Sequence, residues 1–413
     1  MATAAPASDL NDAFAVPRHI ERSRLREPLV RWHYNRRRRD GESVVLTGHH
    51  NRNEVVTLDR RLARLARVAL DEAARIKLRV PLTTPKVVMR TWSDEADVLA
   101  ALNRAVAREA HRPPPFGVPQ CLVTFGQAAS LHRFVPGRPL SQEAPPGTPV
   151  GERRLRDIAK VFAYAATVDR EQLPKLPRHW PADKDSDGFL AYLVDCAQRV
   201  YLEHRPGYGI LFDALRVPVD ALERFRRRVR DQVGELRPRP FALLHTDLHR
   251  DNIVLQKRGN LFILDWELAT YGDPLHDLAT HLVRMEYTDR ERERMKKWWK
   301  QTLDQQDRAL TDGMDTDLPV YMDFEYAQSV YADVVRAAVG LGAEPGRPTL
   351  ERSVTMVLRA LERARVPFGL ASVPGEGEVE AALAEWHARR YPERRLRTWS
   401  FTDRLPRGGA GAR

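Results

Sequence analysis

Three polar side chains near residue 250 have the types and spacing to do chemistry together. An apolar run, Phe241 to Leu244, leads into a polar loop, His245-Thr246-Asp247-Leu248-His249-Arg250-Asp251-Asn252. Two short apolar strands follow, Ile253–Leu255 and Leu261–Leu264, joined by the turn Lys257-Arg258-Gly259-Asn260. A hairpin folds its ends back together, so Asn252, before the first strand, and Asp265, after the second, should lie side by side. Two hard oxygen ligands at one point suit Mg²⁺, which completes its shell with phosphates and water. Asp247 lies five residues before Asn252 on the same loop, where it can face that metal and accept a proton from an incoming hydroxyl. A carboxylate to orient the nucleophile and cations to neutralise phosphate charge are the parts phosphoryl transfer needs.

The spacing His-x-Asp-x4-Asn, followed by an Asp after a hairpin, is the arrangement of a kinase catalytic loop. Three ordered motifs, His245 to Asn252, Asp265-Trp266-Glu267 and Gly272-Asp273-Pro274-Leu275-His276-Asp277-Leu278-Ala279, together resemble the aminoglycoside phosphotransferase and choline kinase-like superfamily. The resemblance covers roughly residues 41–370. It implies an α+β, bilobal protein-kinase-like fold, with a β-rich N-terminal lobe and a mainly helical C-terminal lobe. It further implies ATP as phosphoryl donor, with GTP not excluded, and Mg²⁺ as cofactor. By the same resemblance Asp247 is the catalytic base, with His245 bracing the loop beside it. Asn252 and Asp265 are metal ligands, and Glu267 assists the metal or the phosphates. Asp273 and Asp277 read as structural, Asp277 as the N-cap of the next helix that holds the loop from behind.

Positioning these groups over a nucleotide requires a first lobe. Ser43–Thr47 and Glu54–Leu58 read as a strand pair around the turn Gly48 to Asn53. That turn has one glycine, so Asn51, Arg52 and Asn53 are the candidate donors to phosphate, with Gly48 at the bend. Arg60 to Arg79 shows helical spacing at Leu62, Leu65, Val68 and Leu70. Lys86 to Trp92 then reads as the third strand, and a helix with Ser93 as N-cap runs to about Glu109. A kinase-like fold pairs a third-strand cation with a helix glutamate. These would be Arg90, with Lys86 as fallback, and Glu95. Strands are expected at Gln120–Gly126 and Ser130–Val135, and His132 and Phe134 border the connection where the base would bind. The expected divisions are a basic extension (1–40), a nucleotide-binding lobe (41–136), a helical catalytic and substrate lobe (137–370) and a tail with a short helix at Glu376 to Arg390 (371–413).

The composition permits this plan and narrows the partners. The 413 residues are 43% hydrophobic and 30% charged, enough apolar material for sizeable cores. Two distant cysteines, Cys121 and Cys196, exclude a disulfide framework and fit a cytoplasmic location. No window has the ~18 consecutive apolar residues of a membrane span, and the N-terminus lacks a basic signal region. The net charge of +11 speaks to solubility and encounter with anions. Without a helix-turn-helix, zinc or aromatic RNA-binding signature, even the Arg36–Arg39 run does not point to nucleic acid.

The acceptor is less legible. The leading expectation is a hydroxyl on a small molecule: an antibiotic-like compound, a sugar or an amino alcohol. A second is a Ser/Thr kinase for a precursor peptide in lanthipeptide-like biosynthesis, whose acidic leader the long extra segments and basic surface would suit, with a partner protein also in view. A third is a non-catalytic binding protein on a kinase fold, against which the retained Asp247, Asn252 and Asp265 argue. Asp315, Asp317, Asp323 and Glu325 would make an acidic rim for a cationic acceptor, or simply a solvated helix start.

Overall fold

Strict alternation decides where the first sheet begins and ends. In Arg75-Ile76-Lys77-Leu78-Arg79 the apolar residues are buried at 0–1% exposure with Tyr34, Val56, Phe125, Ala129 and Leu131. Period two places Lys77 and Arg79 together on the opposite face. This computed structural model describes residues 32, 34–36, 43–47, 51–57, 59–61, 75–81, 85–108, 116–125, 129–256 and 259–393.

The elements of the N-terminal part run β1 (Ser43–Thr47), β2 (Asn51–Thr57), β3 (Arg75–Pro81), α1 (Glu95–Arg108), β4 (Phe116–Gly117), β5 (Cys121–Thr124), β6 (Ser130–Arg133) and β7 (Arg138–Pro139). Then follow α2 (Leu140–Glu143), α3 (Glu152–Ala166), α4 (Ser186–Ala214), α5 (Ala221–Gln232), β8 (Ala242–Leu244), β9 (Ile253–Leu255), β10 (Leu261–Ile263) and β11 (Thr270–Gly272). The chain continues with α6 (Pro274–Met285), α7 (Asp289–Asp304), α8 (Met314–Gly340), α9 (Arg347–Ala364) and α10 (Glu376–Arg390). The result is an α+β fold, sheet-rich in its N-terminal part and helical in its C-terminal part. Among the described residues no helix is long and apolar enough to cross a membrane.

The five-stranded sheet has the order β1-β2-β3-β6-β5 and is antiparallel throughout. Its third strand corrects the expectation from sequence. The strand is Arg75–Pro81, at the end of the segment with helical spacing, and Lys86–Trp92 forms no strand. The apolar residues at helical spacing, Leu62 to Leu70, lie outside the described residues. The arginines there extended the apparent period into 75–79, which alternates instead. Helix α1 begins one residue later than expected, because Asp94, not Ser93, accepts the Ala96 N–H at 2.8 Å.

A second sheet, β4-β10-β9-β7, and a two-stranded sheet, β11-β8, frame the polar loop. In the expected β9–β10 hairpin, Ile253 pairs with Ile263 and Leu255 with Leu261. Gly259 makes its turn at φ 78°, a conformation that costs glycine little.

The chain divides into two compact units. The first comprises the described residues within Met1–Pro85, Arg90–Phe189 and Arg237–Leu318 and holds all the sheets. The second comprises Lys86–Met89, Leu190–Leu236 and Pro319–Arg413. Its core stacks Tyr201 against Tyr331, with ring centroids 4.8 Å apart, and seats Phe368 on Tyr331. The expected helix at Glu376–Arg390 is present as α10 and lays Trp386 flat on Tyr208.

Candidate active site

The polar loop between β8 and β9 is held from beneath by one helix. The Asp277 carboxylate of α6 accepts the backbone N–H groups of His245 at 2.9 Å and Thr246 at 2.7 Å. Thr246 takes a left-handed φ of 56°, and its hydroxyl donates to the Leu268 carbonyl. The N-cap of α6 is Asp273, which accepts from Leu275 N, so Asp277 braces the loop but does not cap the helix. His281, one turn beyond Asp277, meets the Leu248 carbonyl through Nδ1 at 2.7 Å and the Tyr287 hydroxyl through Nε2. Arg250 turns inward and donates to five carbonyls: Met285, Ala144, Pro145, Thr148 and Glu286.

His245 is fixed as the neutral Nε2–H tautomer. It donates to the Leu264 carbonyl at 3.0 Å and accepts from the Asp247 N–H through Nδ1. Its ring packs on buried Trp266, and burial holds its pKa below the usual imidazole value. The ring thus ties the loop at Asp247 to the end of β10 at Leu264. Asn252 donates its amide N–H to the Asp247 carbonyl at 2.9 Å, which leaves its side-chain oxygen for a ligand.

Asp265 follows β10 at φ 62°, and the Leu264 N–H bonds the Asn252 carbonyl at 2.8 Å. The hairpin therefore brings Asn252 and Asp265 together as its geometry predicted. The cation facing them is Arg79 on β3, not Arg90. Arg79 pairs with Glu95 of α1 and Glu267, and reaches Asp265 at 2.9 Å. Glu95 in turn accepts the Trp266 N–H at 2.7 Å, so strand, helix and the turn after β10 are tied at one point. Arg90 instead sits beside Glu267 at 2.8 Å. Glu267 thus carries two guanidiniums, Arg79 and Arg90. Burial alone would raise the Asp265 pKa; Arg79, then Lys77 and His245, outweigh it and hold the carboxyl below its usual range.

Sequence reasoning missed Arg284. Its guanidinium, in the last turn of α6, is hydrogen-bonded to the Asp247 carboxylate. The available signal was spacing: Asp277, His281 and Arg284 stand at i, i+4 and i+7, one face of one helix. That face therefore carries the loop's anchor, its floor and a cation on its carboxylate. Arg284→Ala should lower turnover about 10- to 100-fold, as expected for a positioning loss, and leave nucleotide affinity within about threefold. Steady-state kinetics beside calorimetric binding would check this; unchanged turnover would make the contact incidental.

Of the other expected nucleotide contacts, Gly48 lies outside the described residues, as do the side chains of Asn51 and Arg52 on β2. Asn53 lies opposite Arg79 in the β2–β3 register. His132 is buried on β6, hydrogen-bonded to the Ser130 hydroxyl at 2.7 Å and opposite Lys77. The Phe134 N–H bonds the Arg75 carbonyl, and the Arg75 guanidinium lies 4.3 Å from its ring centroid. Asp317 is buried on Arg239 at 2.6 Å, and Asp323 pairs with Arg228 at 2.6 Å.

Burial of neutral imidazoles makes acid stability a test of this packing. Burial pushes His132, His276 and His281 each down to about 3. The unfolded chain then binds protons first, so their stabilisation is full above the unfolded pKa of ~6.5 and is lost as pH falls toward 3. Asp277 has the opposite sign: burial raises it to about 6, so the fold gains as pH falls from about 6 to 4. One group gives at most ~1.4 kcal/mol per pH unit, so three imidazoles outweigh one carboxyl. Unfolding free energy should fall by roughly 2–3 kcal/mol per unit between pH 5.5 and 4. Urea titrations at pH 7, 5.5 and 4.5 would show it; a flat profile would mean that these rings are not held neutral.

The profile of the family described as "Phosphotransferase enzyme family" matches residues 45–310. The thiamine kinase of Salmonella newport is 47% identical over 58 residues, which are 14% of this chain. The chain spans only 21% of the length of that relative. Among solved structures, an ethanolamine kinase from Plasmodium vivax aligns with TM-score 0.47 at 14% identity, over 86% of this chain and 96% of its own. A macrolide 2'-phosphotransferase from Brachybacterium faecium aligns with TM-score 0.40 at 16% identity, over 77% and 92%.

Proposed function

Since the chain belongs to the Phosphotransferase enzyme family, we propose that its loop at 245–252 moves the γ-phosphoryl group of a nucleoside triphosphate onto a hydroxyl of a small molecule. One observation carries this reading. Asp247, largely buried against Arg284, stands on a loop whose start, middle and end are each fixed by buried partners, next to the Asn252–Asp265 pair.

In this reading Asp247 accepts the proton of the acceptor hydroxyl as its oxygen bonds phosphorus and the nucleoside diphosphate leaves. Arg284 keeps the carboxylate turned toward the acceptor. The set of donors fits Mg²⁺: an amide oxygen from Asn252 and a carboxylate from Asp265 are hard ligands, leaving room for phosphate oxygens and water. When bound, that ion would offset charge on the transferred group. Arg79, pinned by Glu95, presents a fixed cation beside Asp265, and Arg90 adds a second on Glu267.

The test joins binding to turnover. Mg²⁺ with ATP or GTP should raise the melting temperature, and nucleotide consumption should depend on one class within a panel of hydroxyl-bearing antibiotics, sugars and amino alcohols. Failure of every nucleoside triphosphate to stabilise the protein would overturn the reading. Turnover only with Ser/Thr peptides would replace the small-molecule acceptor by a precursor peptide.

A further inference from the structure

Lys77 is a cation without an assigned task. It lies two residues before Arg79 on β3 and shares its face, because Ile76 and Leu78 take the core face. Arg79 gathers Glu95, Asp265 and Glu267. Among the described residues Lys77 has no hydrogen bond or ion pair of its own. Across the ladder it faces His132, whose ring nitrogen is occupied by Ser130. Asp265 lies close enough to act on its charge, but the half-buried ammonium has no acceptor within hydrogen-bond reach among the described residues, which leaves it able to donate to a ligand. Burial, with the repulsion of Arg79, brings its pKa down to about 8.

Its place along the strand says what the acceptor is. At the Pro81 end, β3 pairs with Asn51 beside the β1–β2 turn, the end that covers phosphates in a kinase-like fold. At the other end the Arg75 carbonyl holds the Phe134 N–H, where the chain leaves the sheet toward β7. A nucleotide with its phosphates at Arg79 and Asp265 therefore lays its base toward Arg75. Lys77 stands roughly 7 Å back along the strand from Arg79, on the base side of the phosphates.

Building on the nucleotide site proposed above, we infer that Lys77 reads the purine and makes this a guanine-preferring site, its ammonium donating to O6 and N7. An ammonium only donates. Guanine offers two acceptors, O6 and N7, on one edge, whereas adenine offers N7 beside an N6 amino donor. The adenine amino group would leave the cation half-satisfied and oppose it donor to donor.

The experiment is calorimetric titration of the full chain with Mg²⁺ and the non-hydrolysable triphosphate analogues of guanosine and adenosine. The wild type should bind the guanosine analogue at least tenfold more tightly. Lys77→Met should bring the two within about threefold, with folding checked by its thermal transition. Equal or adenine-favouring affinities in the wild type would overturn the inference. That outcome needs no variant. A uniform loss for both analogues in Lys77→Met, with the preference intact, would also overturn it and make Lys77 a phosphate contact. Absence of binding by either analogue would defeat the nucleotide site itself, and with it this inference; binding without base preference defeats the inference alone.

Discussion

Asp247→Asn should cut turnover by about 10³ or more while nucleotide affinity stays within about threefold. The size follows from the role: a positioned general base contributes typically 10²–10⁴. The separation of the two effects follows from geometry. Asn keeps the shape of the side chain and can still accept from Arg284, but it cannot take the proton. Asp265 and Arg79 make no contact with the Asp247 side chain, and Asn252 keeps its shorter bond to the Asp247 backbone carbonyl at 2.9 Å while its longer one to the carboxylate, at 3.4 Å, is the contact that changes. Turnover and calorimetric binding of the diphosphate, measured on the same preparation, would test both halves. The Asp247→Asn, Arg284→Ala double variant should be no slower than Asp247→Asn alone, since Arg284 acts through Asp247. Turnover of Asp247→Asn within tenfold of wild type would remove Asp247 as the base.

Arg239→Met should cost about 3–5 kcal/mol of stability, the usual penalty for leaving a buried charge without its partner. The Arg239 guanidinium is fully buried and meets two carboxylates, Asp273 at 2.7 Å and Asp317 at 2.6 Å. It also donates to the Asp312 carbonyl at 2.7 Å. Removing it leaves Asp273 and Asp317 buried without their cation, Asp273 still accepting the Leu275 N–H, and Asp317 the Arg237 N–H and the Thr316 hydroxyl. Urea unfolding would measure the loss; a change under about 1 kcal/mol would mean that solvent reaches these carboxylates. A functional loss should accompany it even where the protein stays folded. Asp273 caps α6, and α6 carries Asp277, His281 and Arg284 against the catalytic loop.

The chemistry of the site was legible because its spacing is local. Asn252 and Asp265 are joined by one tight hairpin, so residue types and a turn suffice to place them together. The bracing by Asp277 was also readable, as an acidic residue just inside a helix that follows the loop. The sequence by itself therefore determined the loop, the hairpin and the catalytic and ligand candidates. It could not decide which cation serves them. Arg79 and Asp265 are separated by 186 positions, and their meeting depends on how β3 registers in its sheet. An arginine-rich stretch offers several equivalent cations, and only burial of Ile76 and Leu78 turns Arg79 rather than Arg90 toward Asp265 and Glu95. Arg284 escaped for the same reason: a helix face is visible in the sequence, but the carboxylate it points at is not. Local geometry follows from neighbours along the chain, whereas the pairing of distant charges is set by which apolar faces are buried, and that is a property of the folded whole.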